Sequence, residues 1–184
     1  RLGPTAQGLE NIPHEGGAII AANHLAVIDD ALLPLTCPRM IHFMGKAEYF
    51  EGKGIKGKFK KWWFTSVGVF PVDRGNSDIN AVKTAITSLR DGWNLLIFPE
   101  GTRVKQPGQV TPKSGAGMMA IRAGVKMVPV FIGMKKRLFR KTVIAFGKPF
   151  APTYTGRKGT VEEYQANTDE VMRRAYELGG VTCV

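Results

Sequence analysis

The sequence predicts a single α/β domain spanning residues 1–184, and three observations predict it. Short apolar runs of strand length alternate with segments whose apolar residues recur at helical spacing. With 184 residues and 43% hydrophobic content, the chain can bury a real core and is too apolar for a disordered segment. Its apolar stretches are short, residues 128–134 and 95–99 running to seven and five residues. A membrane-spanning helix needs about 20.

Taken in order, residues 17–22 (GAIIAA) read as a buried strand ending at Asn23-His24. Residues 29–35 predict a short helix stopped by Pro38, and residues 39–44 form a second apolar run. Residues 67–72 read as a strand in which Pro71 offers no N–H, which marks a sheet edge or a strand end. The clearest helix covers residues 76–92: Ser77 or Asp78 caps it, Ile79, Val82, Ile86 and Leu89 form its stripe, and Gly92 ends it. Residues 95–98 are a buried strand that breaks into the loop Pro99-Glu100-Gly101-Thr102-Arg103. Residues 114–123 predict a helix ended by Gly124, and residues 125–132 and 142–146 two further strands. Thr160 with Glu163 makes a capping box for a last helix carrying Val161, Tyr164, Val171, Ala175 and Leu178.

The net charge of +11 predicts an anionic partner: nucleic acid, a phosphorylated small molecule, an acidic carrier protein or an acidic membrane surface. Two cysteines, Cys37 and Cys183, are too few for a disulfide framework or a cysteine-rich zinc site and point to a reducing compartment. His14, His24 and His42 are scattered without metal-ligand spacing, so no metal is expected. No signal peptide is visible, and a chain opening at Arg1 rather than Met is expected to lack upstream residues, a membrane anchor among them.

The sharpest chemical feature is Asn23-His24-Leu25-Ala26-Val27-Ile28-Asp29. Five residues apart on one helix, His24 and Asp29 would point about 140° away from each other. They meet if His24 ends a strand and Asp29 opens the next helix. A carboxylate on one imidazole nitrogen sets the tautomer and leaves the other nitrogen as a general base. On spacing alone, Asp30 serves as well as Asp29, and a strand-end histidine satisfied by a turn carboxylate is the competing structural reading.

Asn23-His24-x4-Asp29 resembles the first motif of the glycerolipid acyltransferases, the 1-acyl-sn-glycerol-3-phosphate acyltransferase family. Gly68-Val69-Phe70-Pro71-Val72-Asp73-Arg74 is similar to its second motif, Phe98-Pro99-Glu100-Gly101-Thr102-Arg103 to its third, and Val128-Pro129-Val130 to its fourth. The order and spacings also match, over roughly residues 7–150. The resemblance implies a mixed twisted β-sheet flanked by helices, with His24, Asp29, Arg74, Glu100 and Arg103 in one cleft and an apolar groove beside it. It implies transfer of an acyl group from a thioester, on coenzyme A or acyl carrier protein, to the hydroxyl of lysophosphatidic acid, without a further cofactor.

In that reading His24 takes the hydroxyl proton, Asp29 holds the ring, and Arg74 and Arg103 grip the acceptor's phosphate with planar guanidinium forks. Glu100 orients either the acceptor's polar groups or the loop itself. Gly101 admits a close backbone approach, Thr102 lies between the two, and Lys105 and Lys113 offer further cationic contacts. Ala26 stands where many relatives carry Ser, and Pro112 where an aromatic is common, which leaves the acceptor preference open. Acylation of glycerol 3-phosphate or of another glycerolipid is the alternative within the class.

Lys53, Lys56, Lys58, Lys60 and Lys61 lead into Trp62-Trp63-Phe64, and residues 135–141 form a second basic cluster. Cations beside tryptophans suit the cytoplasmic face of a membrane, bound peripherally or through the expected upstream anchor. A nucleic-acid-binding module is the reading from a different class, with a catalytically silent membrane-binding protein as a third. Residues 52–57 spell GxGxxG, but with 22 glycines in 184 residues composition nearly explains that pattern, and the run before it is a poor strand. Phe59 stands where a nucleotide P-loop needs Ser or Thr, and no GxSxG is present.

Overall fold

The computed structural model describes residues 5–25, 33, 36–46, 57–59, 62, 68–72, 79–106, 108–133 and 142–181. Among these are the strands β1 (Thr5–Gln7), β2 (Ala18–Ala22), β3 (Ile41–Lys46), β4 (Val69–Val72), β5 (Asn94–Ile97), β6 (Lys126–Ile132) and β7 (Val143–Phe146). They are accompanied by the α-helices α1 (Ile79–Arg90), α2 (Gly115–Ala123) and α3 (Val161–Leu178). The strands form one seven-stranded sheet in the order β1-β7-β6-β2-β5-β3-β4. Strands β2 to β6 all run parallel, whereas β7 pairs antiparallel with β6 and parallel with β1. The sheet is therefore mixed, as expected, and the carboxyl ends of β2, β4, β5 and β6 share one edge. In open α/β sheets that edge is where ligands bind.

The central strand β2 is buried along its whole length because both faces of the sheet are covered. Ile19 and Ala21 pack with Ala85, Leu89, Met119, Ala120, Val171 and Met172 from the three helices. Ala18, Ile20 and Ala22 pack on the other face with Ile12, Leu33, Ile41 and Val128. Pro129 sits inside the central strand β6, an unusual place for a residue without an N–H. Its carbonyl accepts from Gly147 N–H at 2.8 Å, so its missing donor also faces β7, just where that strand leaves the ladder.

Pro71 lies on the edge strand β4, and Gly124 ends α2 with a φ of 71°. Thr160 and Glu163 form the full capping box of α3. Three apolar assignments are corrected. Ile79 is 66% exposed because α1 buries the line Ala81, Ala85 and Leu89, with Val82 and Ile86 half-buried beside it. Val161 and Leu178 are also exposed, in the first and last turns of α3. Strand β1 was not expected: its three residues alternate exposed and half-buried and carry no apolar run. Of residues 29–35 only Leu33 is described; it is helical, and Ser77, Asp78 and the basic cluster 135–141 lie outside the described residues.

Helix α3 is docked closely on α2 at Gly117. Its N–H donates to Thr168 Oγ1 at 2.9 Å, and a Cβ at Gly117 would stand 2.1 Å from the Tyr164 carbonyl oxygen. The two helices touch backbone to backbone there.

Candidate active site

The chain leaves β2 through Asn23, which is fully buried. Its Nδ2 donates to the Ile132 carbonyl at 3.0 Å and its Oδ1 accepts from Ile132 N–H at 2.7 Å. A primary amide has the donor and acceptor of a peptide group, so Asn23 completes the ladder to β6 with its side chain. The next residue, His24, is thereby set at the carboxyl edge of the sheet.

Two bonds from the loop after β5 grip the His24 peptide. Its N–H donates to Glu100 Oε2 at 3.0 Å, and its carbonyl accepts from Val104 N–H at 2.9 Å. The His24 imidazole stacks on Phe98, centroids 4.3 Å apart and planes inclined by 28°. Three contacts from residues 98–104 thus position one histidine, and the first and third sequence motifs are joined atom to atom.

Glu100 is only 2% exposed. Its second oxygen, Oε1, accepts a hydrogen bond from the Tyr176 hydroxyl. Burial pushes its carboxyl up from the usual carboxylate range; the Tyr176 hydroxyl, the His24 N–H and the nearby His24 charge offset part of that rise. With both oxygens engaged inside the protein, Glu100 holds the loop and the His24 peptide rather than facing a ligand.

The loop tip is a turn closed by Gly101 N–H on the Phe98 carbonyl at 3.0 Å, with Gly101 at a φ of 65°. Lys113 N–H bonds the Pro99 carbonyl at 2.7 Å, and the Lys113 side chain lies over Gly101, where a Cβ would meet its Cε at 3.1 Å and its Nζ at 3.3 Å. Gly101, Thr102, Arg103, Lys105 and Lys113 are all exposed. Arg103 directly precedes Val104, so the guanidinium springs from a backbone pinned to His24. The structure thus gathers His24, Glu100, Gly101, Thr102, Arg103 and Lys113 at one edge, with Lys105 following on the same loop. Asp29, Asp30 and Arg74 lie outside the described residues, although β4, which leads toward Arg74, ends at that edge.

Residues 3–133 match the family model described as Acyltransferase. The chain belongs to this acyltransferase family. It is 32% identical over 184 residues to the 1-acyl-sn-glycerol-3-phosphate acyltransferase of Bacillus subtilis, a match covering 97% of this chain and 89% of that protein. A protein of the same name from Borreliella burgdorferi is 31% identical over 141 residues, 74% of this chain and 54% of its own length. The solved 1-acyl-sn-glycerophosphate acyltransferase PlsC of Thermotoga maritima superposes with a TM-score of 0.70 at 26% identity, over 99% of this chain and 74% of that one.

Within this acyltransferase, two contributors to the site were not among the expected residues. Asn23 stood in the first motif without a role, although its amide beside a strand end is a signal for ladder completion. Tyr176 is 76 positions from Glu100 and lies beyond the stretch matched by the family model. An aromatic on an amphipathic helix reads as core, so no local signal marks it. The other two histidines stand apart from these bonds: His14 is exposed, and His42 stacks on Trp93 with centroids 4.9 Å apart.

Proposed function

We propose that this acyltransferase moves a fatty acyl group from an acyl thioester, on coenzyme A or acyl carrier protein, to the free hydroxyl of 1-acyl-glycerol 3-phosphate, giving phosphatidic acid. The observation that carries the reading is the bonding of the His24 peptide to the loop that presents Arg103. A proton acceptor and a phosphate-binding cation are thereby tied to one hydrogen-bonded turn. The relatives named for that acceptor support the same substrate.

A thioester is already activated; what neutral solution lacks is a deprotonated alcohol. His24 takes the hydroxyl proton as the oxygen attacks the thioester carbonyl, a role typically worth about 10²–10⁴-fold. The tetrahedral intermediate expels the thiolate, the carbon–sulfur bond breaks, and the imidazolium returns its proton to sulfur. No acyl-enzyme is needed. Asp29 holds the imidazole and steadies its charge, while Arg74 and Arg103, with Lys105 and Lys113 in support, bind the acceptor's phosphate. Glu100, Gly101 and Thr102 shape the turn that carries Arg103.

The lipid acceptor places the reaction at a membrane, and we assign the enzyme to the cytoplasmic face. Phe59 and Trp62, three positions apart in the lysine-rich stretch, are 62% and 61% exposed and suit an anionic headgroup layer. The test crosses acyl-coenzyme A and acyl carrier protein donors with lysophosphatidic acid and glycerol 3-phosphate acceptors. Turnover confined to lysophosphatidic acid, abolished by His24→Ala in a folded protein, is the expected result. Turnover on glycerol 3-phosphate alone assigns the alternative acceptor, and undiminished turnover by His24→Ala overturns the general-base role.

A further inference from the structure

We infer that Tyr176 is a positioning residue for acyl transfer: from α3, its hydroxyl orients the Glu100 carboxylate so that the opposite oxygen holds the His24 peptide. The inference rests on the reading of His24 as the base, and it brings into the site a helix that no sequence motif touches.

The geometry is a relay of two bonds. Tyr176 O–H donates to Glu100 Oε1, and Glu100 Oε2 accepts from His24 N–H at 3.0 Å. A carboxylate rotates about its last torsion, and a single bond at Oε2 would not fix that rotation. The second bond, at Oε1, does. Tyr176 is itself 3% exposed, its ring set edge-on against Phe131 with centroids 6.4 Å apart. The helix beneath it is anchored at Gly117–Thr168 and by its capping box. The hydroxyl is therefore placed by helix packing and not by the loop it serves.

Chemistry points the same way. A buried carboxylate needs donors to stay ionised and keep accepting on both oxygens. Once the hydroxyl is gone, Glu100 retains the His24 N–H alone, and the turn carrying Phe98 and Val104 loses its tie to α3. Small displacements of a catalytic group cost rate more than binding.

Tyr176→Phe keeps the ring and deletes only the donor. In the purified protein, with an acyl-coenzyme A donor and lysophosphatidic acid, kcat should fall about tenfold while both KM values stay within about twofold. The His24 imidazole signal in NMR, shifted by the Phe98 ring and identified by its absence in His24→Ala, should move in Tyr176→Phe. Glu100→Gln should lose comparable kcat, and adding Tyr176→Phe to it should cost nothing further. An unmoved imidazole signal, an unchanged kcat, additive losses in the double variant, or loss of the cooperative unfolding transition in Tyr176→Phe would each overturn the proposal. Undiminished turnover by His24→Ala defeats the general-base reading instead, whereas the imidazole signal reports the relay without any assay of turnover.

Discussion

Asn23 and Ile132 exchange two hydrogen bonds, at 3.0 and 2.7 Å, across the carboxyl ends of β2 and β6. A side chain thus does the work of a peptide group at the point where the sheet stops and the site begins. Asn23→Ala leaves the Ile132 N–H and carbonyl without these partners in a fully buried place. Each such group costs about 1–3 kcal/mol, so a loss of roughly 2–6 kcal/mol is expected in urea unfolding. Activity should fall as well, because His24 is the next residue. Native stability in Asn23→Ala would show that the ladder closes without the amide.

The backbone contact at Gly117 yields a second expectation. A methyl group there meets the Tyr164 carbonyl at 2.1 Å, a peptide oxygen that cannot swing aside as a side-chain end would. Gly117→Ala must therefore push α3 off α2, at a cost of about 1–3 kcal/mol. Because α3 carries Tyr176, kcat should fall with it. Denaturant midpoints and turnover, measured together, check the coupling: a destabilised variant with native kcat would separate helix docking from the site.

Why some of this was visible in the sequence and some not follows from the range of each interaction. The run GAIIAA, the Gly124 stop and the Thr160–Glu163 box depend on near neighbours, and each forms as expected. The stripe through Ile79 misled because large apolar residues carry the visual weight, whereas α1 packs through Ala81 and Ala85, whose small side chains let it sit close to the sheet. The link between His24 and residues 98–104 was implied by the order of motifs alone. Charge was the least specific signal. Arg39 donates to the carbonyls of Pro13, Gly16 and Gly92, Arg122 to the Tyr164 hydroxyl, and Arg173 and Arg174 pair with Glu170. Those cations serve the fold, and composition cannot separate them from Arg103.

Glu100 gives a pH-dependent expectation. Its folded-state pKa is raised, with burial the largest cause. A raised carboxyl adds stability below the unfolded value of 4.5 and loses it as pH climbs through the folded value. Gln does not titrate. The thermal midpoint of Glu100→Gln relative to the native chain should therefore improve as pH rises from below 4.5 through that window. A difference that stays flat across the window would mean that Glu100 is not raised.

The opposite sign applies to Glu170, held down at about 2 by hydrogen bonding and charge from Arg173 and Arg174. Its contribution is present above 4.5 and is lost as pH falls toward about 2. Both arginine partners are well exposed, at 48% and 39%, so solvent screens the network. Glu170→Gln should cost no more than about 1 kcal/mol at neutral pH, and less in high salt. A larger, salt-insensitive loss in chemical unfolding would show that α3 depends on this surface network.

Phe59 and Trp62 carry the last expectation. Their rings stand 5.7 Å apart and are inclined by 38°, beside the exposed Lys58. Large aromatics this exposed gain by entering the boundary between headgroups and acyl chains, and lysines along the same stretch add attraction to anionic lipid. Replacing both aromatics with Ala removes the apolar part and leaves the charge. Cosedimentation with vesicles of phosphatidylcholine and phosphatidylglycerol should then weaken by about tenfold or more, since each ring contributes on the order of 1–2 kcal/mol when buried in the interface. Salt should weaken the native chain further by screening the lysines. Turnover on a detergent-dispersed acceptor should survive the double substitution, because neither ring belongs to the site at the sheet edge. Equal vesicle binding by the native and double-Ala chains would show that the aromatics do not enter the membrane, and equal binding to phosphatidylcholine alone would remove the part assigned to charge.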